Sequence, residues 1–349
     1  MKTISGFSRS NVLFGGLLAL CLSGCDKGVE PNGGEKDYKV YFGDLQSNWK
    51  YAYHPSTNVV DSFVIPGSTN PFLSVSPDGK SLYAWGNDEI IEYDVKSSSS
   101  RQFWPKPGAV IVAPDEKKAA IFDGDFYLID LKTREILYYD TSRFFLGAFS
   151  QDSRVFYATR GYQVSKVLRL DLRNGIGSDS LTVGQTLCYA IETDADGAGF
   201  FLLSQEAQTD VLAHYEWNRG EGDWRQEILP GEGDIQLSGD GKILYISNPG
   251  PIIDHGGPTV EPPWTITALD AKVRDTLFEI STITHFDGDT TLRKIPVGPM
   301  AVTPDGNWLF GVCTWLGPIL SINLQSKQVE HAFLFESRYP SEPVSQSKL

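Results

Sequence analysis

Six times along the chain a short apolar run ends in a turn built on aspartate, usually with glycine next to it. The clearest copy is Leu73-Ser74-Val75-Ser76-Pro77-Asp78-Gly79-Lys80-Ser81-Leu82-Tyr83-Ala84-Trp85. Its counterpart near the other end is Met300-Ala301-Val302-Thr303-Pro304-Asp305-Gly306-Asn307-Trp308-Leu309-Phe310. The aligned aspartates are Asp78, Asp115, Asp152, Asp196, Asp240 and Asp305, spaced 37, 37, 44, 44 and 65 residues apart. A second marker follows each turn, as in Tyr93-Asp94-Val95-Lys96, Ile129-Asp130-Leu131-Lys132, Leu170-Asp171-Leu172-Arg173, Leu269-Asp270-Ala271-Lys272 and Ile322-Asn323-Leu324-Gln325. Helical periodicity is weak, and the runs are rich in Tyr, Phe, Val, Ile and Trp. A period near 40 residues with about four strands per unit is the pattern of radial sheet repeats. One such sheet cannot bury both of its apolar faces; a closed ring of them can. The expected fold is therefore all-β, a seven-bladed β-propeller over residues 38–340. Six blades carry the aspartate turn. Tyr38 to Gly67 lacks it but holds three apparent strands, and it reads as the seventh blade, at or across the ring closure. Val329 to Phe335 ends the last full blade, and residues 341–349 read as a loose tail. The alternative is six blades with an extra N-terminal sheet.

The N-terminus carries a different signal. Lys2 and Arg9 precede an apolar stretch from Val12 to Leu22. That run is roughly half the ~20 residues that span a bilayer, so residues 1–24 read as a cleavable leader. Leu22-Ser23-Gly24-Cys25 resembles the lipobox of bacterial lipoproteins. The resemblance implies cleavage before Cys25, diacylglycerol on its sulfur, and acyl chains such as palmitate that anchor the protein to a membrane. Each buried CH₂ contributes about 0.8 kcal/mol, so several chains hold firmly. The implied location is the bacterial cell envelope outside the cytoplasm, with the outer membrane or cell surface favoured. A plain secretory leader is the alternative. Residues 25–37 are polar and contain Gly and Pro, which makes a flexible tether.

The formal charge is −14, and the leader takes away two cations and no acid, leaving −16. A chain this acidic is a poor partner for nucleic acid, whose binding rests on Lys and Arg at phosphates. Besides Cys21 and Cys25, only Cys188 and Cys313 occur. They fall in different repeats, in apolar strand contexts that favour buried free thiols over a disulfide.

The S/T-P-D-G turns, the Tyr- or Phe-containing strand after them, and the Asp-x-Lys/Arg strand end together resemble the YVTN-type β-propeller family, a relative of WD40-like propellers. Ile295-Pro296-Val297-Gly298-Pro299 before Ala301-Val302-Thr303-Pro304-Asp305-Gly306 is especially close. The resemblance covers roughly residues 38–335. Its motif is structural, so it implies a fold and no particular activity.

In a four-stranded blade the turns after strands one and three share one end of the ring, and the connections after strands two and four share the other. The first group is short. The second takes the largest insertions, 248–264 and 285–294, both assigned to one blade, and functional residues commonly ride on such loops. Asp254, His255, Glu261, His285, Asp287, Asp289, Arg293 and Lys294 should then converge. Two histidines with carboxylates would suit a transition metal; Asp287 and Asp289 with Glu261 would suit Ca²⁺; a His–carboxylate pair would suit acid–base chemistry on sugars. Set against all three, Gly- and Pro-rich loops carry charge simply because they are solvated, so no metal site or cofactor is assigned. Arg160 and Trp315, with Trp85 and Tyr162, follow second strands and should face the same end, where aromatics beside an arginine would stack on a sugar or clamp a peptide. Asp123-Gly124-Asp125 reads as a tight turn, and His54, His214 and His331 as isolated core or surface residues. No nucleotide loop, dinucleotide fingerprint, H-E-x-x-H or G-x-S-x-G occurs. The expected role is a binding or scaffold module for an envelope protein, peptide or glycan. The alternative is a sugar-directed enzyme such as a lactonase or polysaccharide lyase.

Overall fold

The structure is a computed structural model that describes residues 21–23, 39–43, 49–55, 57–160, 163–173, 175–206, 209–219, 221–228, 233–247, 264–285, 290–295, 297–298, 300–303, 305–312 and 318–334. Seven antiparallel blades surround a common axis. No helix among the described residues is long and apolar enough to cross a membrane.

The repeating turn explains why the blades form where they do. Ser76 Oγ donates to Asp78 Oδ1 (2.7 Å) and accepts from Ser81 N (2.9 Å), while Asp78 Oδ1 accepts from Lys80 N (3.0 Å). Gly79 N donates to Ser76 O (2.8 Å) with φ at +72°, a conformation glycine reaches without steric cost. The same hydroxyl-to-carboxylate bond recurs at Ser150–Asp152, Ser238–Asp240 and Thr303–Asp305, at 2.7, 2.7 and 2.6 Å. Where the hydroxyl position is Ala113, Ser153 of the neighbouring blade accepts from Asp115 N instead (2.9 Å). The turns thus satisfy their backbone from their own side chains or, at Ala113, from the neighbouring blade, and the strand after each is free to enter the core.

Blade one comprises β1 (Cys21–Ser23), β2 (Lys39–Gly43), β3 (Trp49–His54) and β4 (Val59–Val64). Blade two comprises β5 (Ser68–Val75), β6 (Ser81–Gly86), β7 (Ile90–Asp94) and β8 (Ser99–Trp104). Blade three comprises β9 (Ala109–Val112), β10 (Lys118–Phe122), β11 (Phe126–Asp130) and β12 (Ile136–Asp140). Blades four and five share a strand. β13 (Phe144–Phe149), β14 (Val155–Arg160) and β15 (Gln163–Asp171) lead into β16 (Gly177–Thr193), whose second half pairs with β17 (Gly199–Glu206), followed by β18 (Thr209–Glu216) and β19 (Glu221–Ile228). Blade six comprises β20 (Asp234–Leu237), β21 (Ile243–Ser247), β22 (Thr265–Asp270) and β23 (Thr276–Ser281). A hairpin, β24 (Ile283–His285) and β25 (Leu292–Lys294), precedes blade seven, β26 (Met300–Val302), β27 (Trp308–Val312), β28 (Pro318–Asn323) and β29 (Gln328–Leu334).

The core lies between blades. Tyr83 and Ile90 of blade two pack with Val110, Ile121 and Ile129 of blade three. Phe126 stacks on Phe156 of blade four, with centroids 5.6 Å apart. The ring closes through side chains: Val40, Phe42 and Tyr53 of blade one meet Phe310 and Ile319 of blade seven, and Tyr53 and Phe310 sit edge to face at 6.0 Å.

The expected seven blades are present, and β29 ends the last one as the sequence implies. Blade one differs from its expected three strands. It gains an innermost strand from Cys21–Ser23, within the segment read as the leader, with Cys21 opposite Tyr41 and Ser23 opposite Lys39.

Candidate functional site

The Asp-Gly turns and the turns between third and fourth strands form one end of the ring, the turn end. The remaining connections form the loop end. At the loop end, β21 stops at Ser247 and β22 resumes at Thr265. The insertion between them carries Asp254, His255 and Glu261, which lie outside the described residues, as do Asp287, Asp289, Trp315, Tyr162, Cys313 and the lipidation candidate Cys25. The bases of the two insertions do meet: Thr282 N donates to Trp264 O at 2.7 Å. His285 ends β24, exposed, opposite Leu292 of β25, and Arg293 lies opposite Thr284. Strand alternation puts Ile283, His285 and Leu292 on one face of the hairpin, where Ile283 is 41 % and Leu292 60 % exposed. Arg160 is exposed at the end of β14 and donates to Ser142 Oγ. It belongs to blade four, two blades from the hairpin. Asp123-Gly124-Asp125 is the tight turn expected, with φ +102° at Gly124 and the Asp123 carboxylate accepting from Trp104 Nε1 at 2.8 Å. Cys188 is a free thiol. Among the described residues no group of three or more His, Cys, Asp or Glu side chains is placed to hold a metal ion.

The turn end holds chemistry that the sequence reading passed over. A pocket of about 520 Å³ between blades two and three is lined by Ser76, Tyr83, Glu92, Arg101, Lys132 and Arg134, among others. Glu92 takes Arg101 at 3.0 and 3.1 Å and Arg134, from the next blade, at 2.7 Å. Burial pushes the Glu92 carboxyl up, but the two guanidiniums outweigh it and hold the group below the usual carboxylate range. Arg134 occupies the left-handed position of its turn (φ +64°), which aims its side chain back across the seam, with the guanidinium carbon 3.8 Å over Phe103.

The seam between blades five and six repeats this plan with a histidine. His214 occupies on β18 the position that Glu92 occupies on β7, and Arg274 (φ +66°) is the counterpart of Arg134. His214 Nε2 lies 3.0 and 3.1 Å from the Asp194 carboxylate oxygens, and Nδ1 lies 2.5 Å from Asp223 Oδ1. Arg274 pairs with Asp223 Oδ2 at 2.8 Å and also reaches to 2.7 Å from Nδ1. Nδ1 cannot donate to Asp223 and accept from Arg274 at once. Burial of the ring favours the neutral form, yet Asp194 and Asp223 outweigh it and raise the His214 pKa. The imidazolium then donates to both carboxylates, and the four charges balance. Asp194 stands where four of the other turns have Ser or Thr and the remaining one has Ala113. That exchange is the one sequence signal that pointed here. Gly199 makes room, since a Cβ there would lie 2.7 Å from Asp194 Oδ2 and 2.5 Å from Tyr215 O.

Two further carboxyls lie on adjacent inner strands, Glu192 on β16 and Asp234 on β20. Burial and the charge of Asp234 push Glu192 up to about 8. Burial pushes Asp234 up to about 7, although it accepts from Met300 N at 2.7 Å and so ties blade six to blade seven. The sequence clue is an acid at an inner-strand position that is otherwise apolar, small or amide-bearing, as at Ile111, Ala148 and Gln236.

No protein-family model matches the sequence, and no curated protein matches it either. Solved structures do. One is hydrazine synthase of Kuenenia stuttgartiensis, at 14 % identity and a TM-score of 0.56, covering 75 % of this chain and 78 % of that one. The likeness is one of fold. It supports the propeller architecture, while the YVTN resemblance rests on the turn motifs alone.

Proposed function

We propose that this propeller is a lipid-anchored binding or scaffold module of the bacterial cell envelope, with repeats of the YVTN type, and that it holds a protein, peptide or glycan at its loop end. The observation that carries this reading is the hairpin at residues 283–294, which presents Ile283 and Leu292 to solvent beside the base of the 248–263 insertion. Other large apolar side chains are exposed too, Val273 and Ile136 among them, but this pair shares one face of a short hairpin at the loop end, the kind of feature that partner surfaces use. A lipid on Cys25, part of the same proposal, would hold such a module at the membrane surface. The test is affinity capture from solubilised envelopes with the intact protein as bait. A specific partner or glycan is expected, lost in the Ile283→Asp/Leu292→Asp variant and on deletion of 250–263. Equal recovery with both variants would reject the loop end as the binding surface.

A further inference from the structure

The turn-end pocket between blades two and three holds more polar groups than its ion pairs use. Glu92 takes Nε and Nη2 of Arg101 and Nη2 of Arg134. Asp78 takes the Ser76 hydroxyl, the Lys80 amide and, at 3.0 Å, Lys80 Nζ. Among the described residues three donors of the pocket lining are left over: the Tyr83 hydroxyl, Lys132 Nζ and Arg101 Nη1. No acceptor of comparable strength is left over with them, so the surplus is one of donors.

Tyr83 separates this pocket from an ordinary packed seam. It is 4 % exposed, and its ring is held edge-on against Phe103 at 4.7 Å. Tyr157 holds the same position in blade four, and there the hydroxyl donates to Gly197 O of the next blade at 2.9 Å. Blades five and seven have Phe201 and Phe310 at that position, with no hydroxyl to satisfy. A tyrosine hydroxyl at a buried seam ordinarily finds a protein partner; that of Tyr83 meets the pocket instead. Burial and the charge of Glu92 hold the phenol well above its usual pKa, so it stays a donor. The charges of the lining favour a single anion. Asp78 and Lys80 cancel, Glu92 and Glu116 stand against Arg101, Lys132 and Arg134, and one positive charge remains. A carboxylate carries that one charge and accepts from several donors at once. A phosphate dianion would bring a second negative charge beside Glu92 on a chain of net charge −14. The volume of about 520 Å³ lies within the range of small-molecule sites.

We infer that the turn end of the seam between blades two and three is a binding site for a small organic monocarboxylate, held by Tyr83, Lys132 and Arg101. Glu92 positions the Arg101 guanidinium through its Nε and Nη2 and leaves Nη1 for the ligand. The site lies at the opposite end of the ring from the 283–294 hairpin and depends on neither that surface nor the lipid anchor.

The test is calorimetric titration of the intact protein with lactate, glucuronate, glucose and inorganic phosphate at neutral pH. At least one of the two carboxylates is expected to bind, with glucose and phosphate weaker by about tenfold or more. Tyr83→Phe keeps the ring against Phe103 and removes only the hydroxyl, and Lys132→Ala removes a cation that makes no ion pair among the described residues. Each should weaken carboxylate binding about tenfold and leave the thermal unfolding midpoint where it was, which separates a lost ligand contact from a damaged fold. Failure of both carboxylates to bind at millimolar concentration would overturn the inference. So would phosphate binding as tightly as the carboxylates, or carboxylate binding that neither substitution changes.

Discussion

His214 is balanced only when it carries a proton, because Asp194 and Asp223 then face one imidazolium and one guanidinium across the seam between blades five and six. Its folded pKa is raised, so the stability it contributes is fully present below its unfolded value and is lost as pH rises through the folded one. Glu192 and Asp234 act in the same direction. Their folded pKa values, about 8 and about 7, lie above the ordinary carboxylate range, so folding is disfavoured progressively from pH about 4 upward until both groups have ionised. Two outcomes follow, both readable by urea denaturation. His214→Gln should cost about 1–3 kcal/mol at pH 6, with a smaller loss at pH 9. Glu192→Gln should stabilise the protein by about 2 kcal/mol at pH 8 and leave it nearly unchanged at pH 4. A pH-independent effect in either variant would contradict the assignment. Neither site was legible in the sequence as a site. Asp194 meets His214 through strand pairing within blade five, and Arg274, 60 residues further on, joins them only because blade six packs alongside. What the sequence did hold was a pair of local anomalies, an aspartate where a turn wants a hydroxyl and an acid in a strand that wants small or apolar residues.

At the scale of the element, the turns were the most legible feature. A Ser–Asp bond and a glycine at positive φ are local chemistry, fixed by residues a few positions apart, and the aspartate alignment located each of the six. Ser238→Ala removes the bond to Asp240 and the acceptor for the Lys242 and Ile243 amides. It should cost about 1 kcal/mol in thermal unfolding, as the loss of comparable caps does. Gly199→Ala, where the obstruction is backbone and the half-buried Asp194 carboxylate, should cost more, about 1–3 kcal/mol, and should perturb the His214 titration followed by NMR. The loop-end insertions were legible as insertions, and their adjacency holds at Trp264 and Thr282. The chemistry of their tips was not legible, because Asp, His and Glu in Gly- and Pro-rich stretches have the same composition whether they bind something or merely stay wet. The hairpin and its exposed Ile283 and Leu292 escaped the sequence reading, since three-residue strands are too short to declare an alternation.

At the scale of the molecule, the blade count followed from the repeat because closure leaves little choice: sheets with two apolar faces must be flanked on both sides. Which segment completes blade one did not follow, since an innermost strand needs only a few small or apolar residues and several stretches qualify. β16 adds a mechanical asymmetry to the ring. It runs unbroken from the outer strand of blade four to the inner strand of blade five, so those two sheets cannot hinge against each other without breaking a ladder of hydrogen bonds. Elsewhere neighbouring blades are joined by a loop and by side chains, and blades seven and one meet in the apolar cluster of Val40, Phe42, Tyr53, Phe310 and Ile319. Slow breathing of the ring is therefore expected to start at the junction of Tyr53 with Phe310, with blades four and five swinging as a single leaf. Native-state exchange should register this as earlier opening around residues 39–54 and 308–322 than along 177–193.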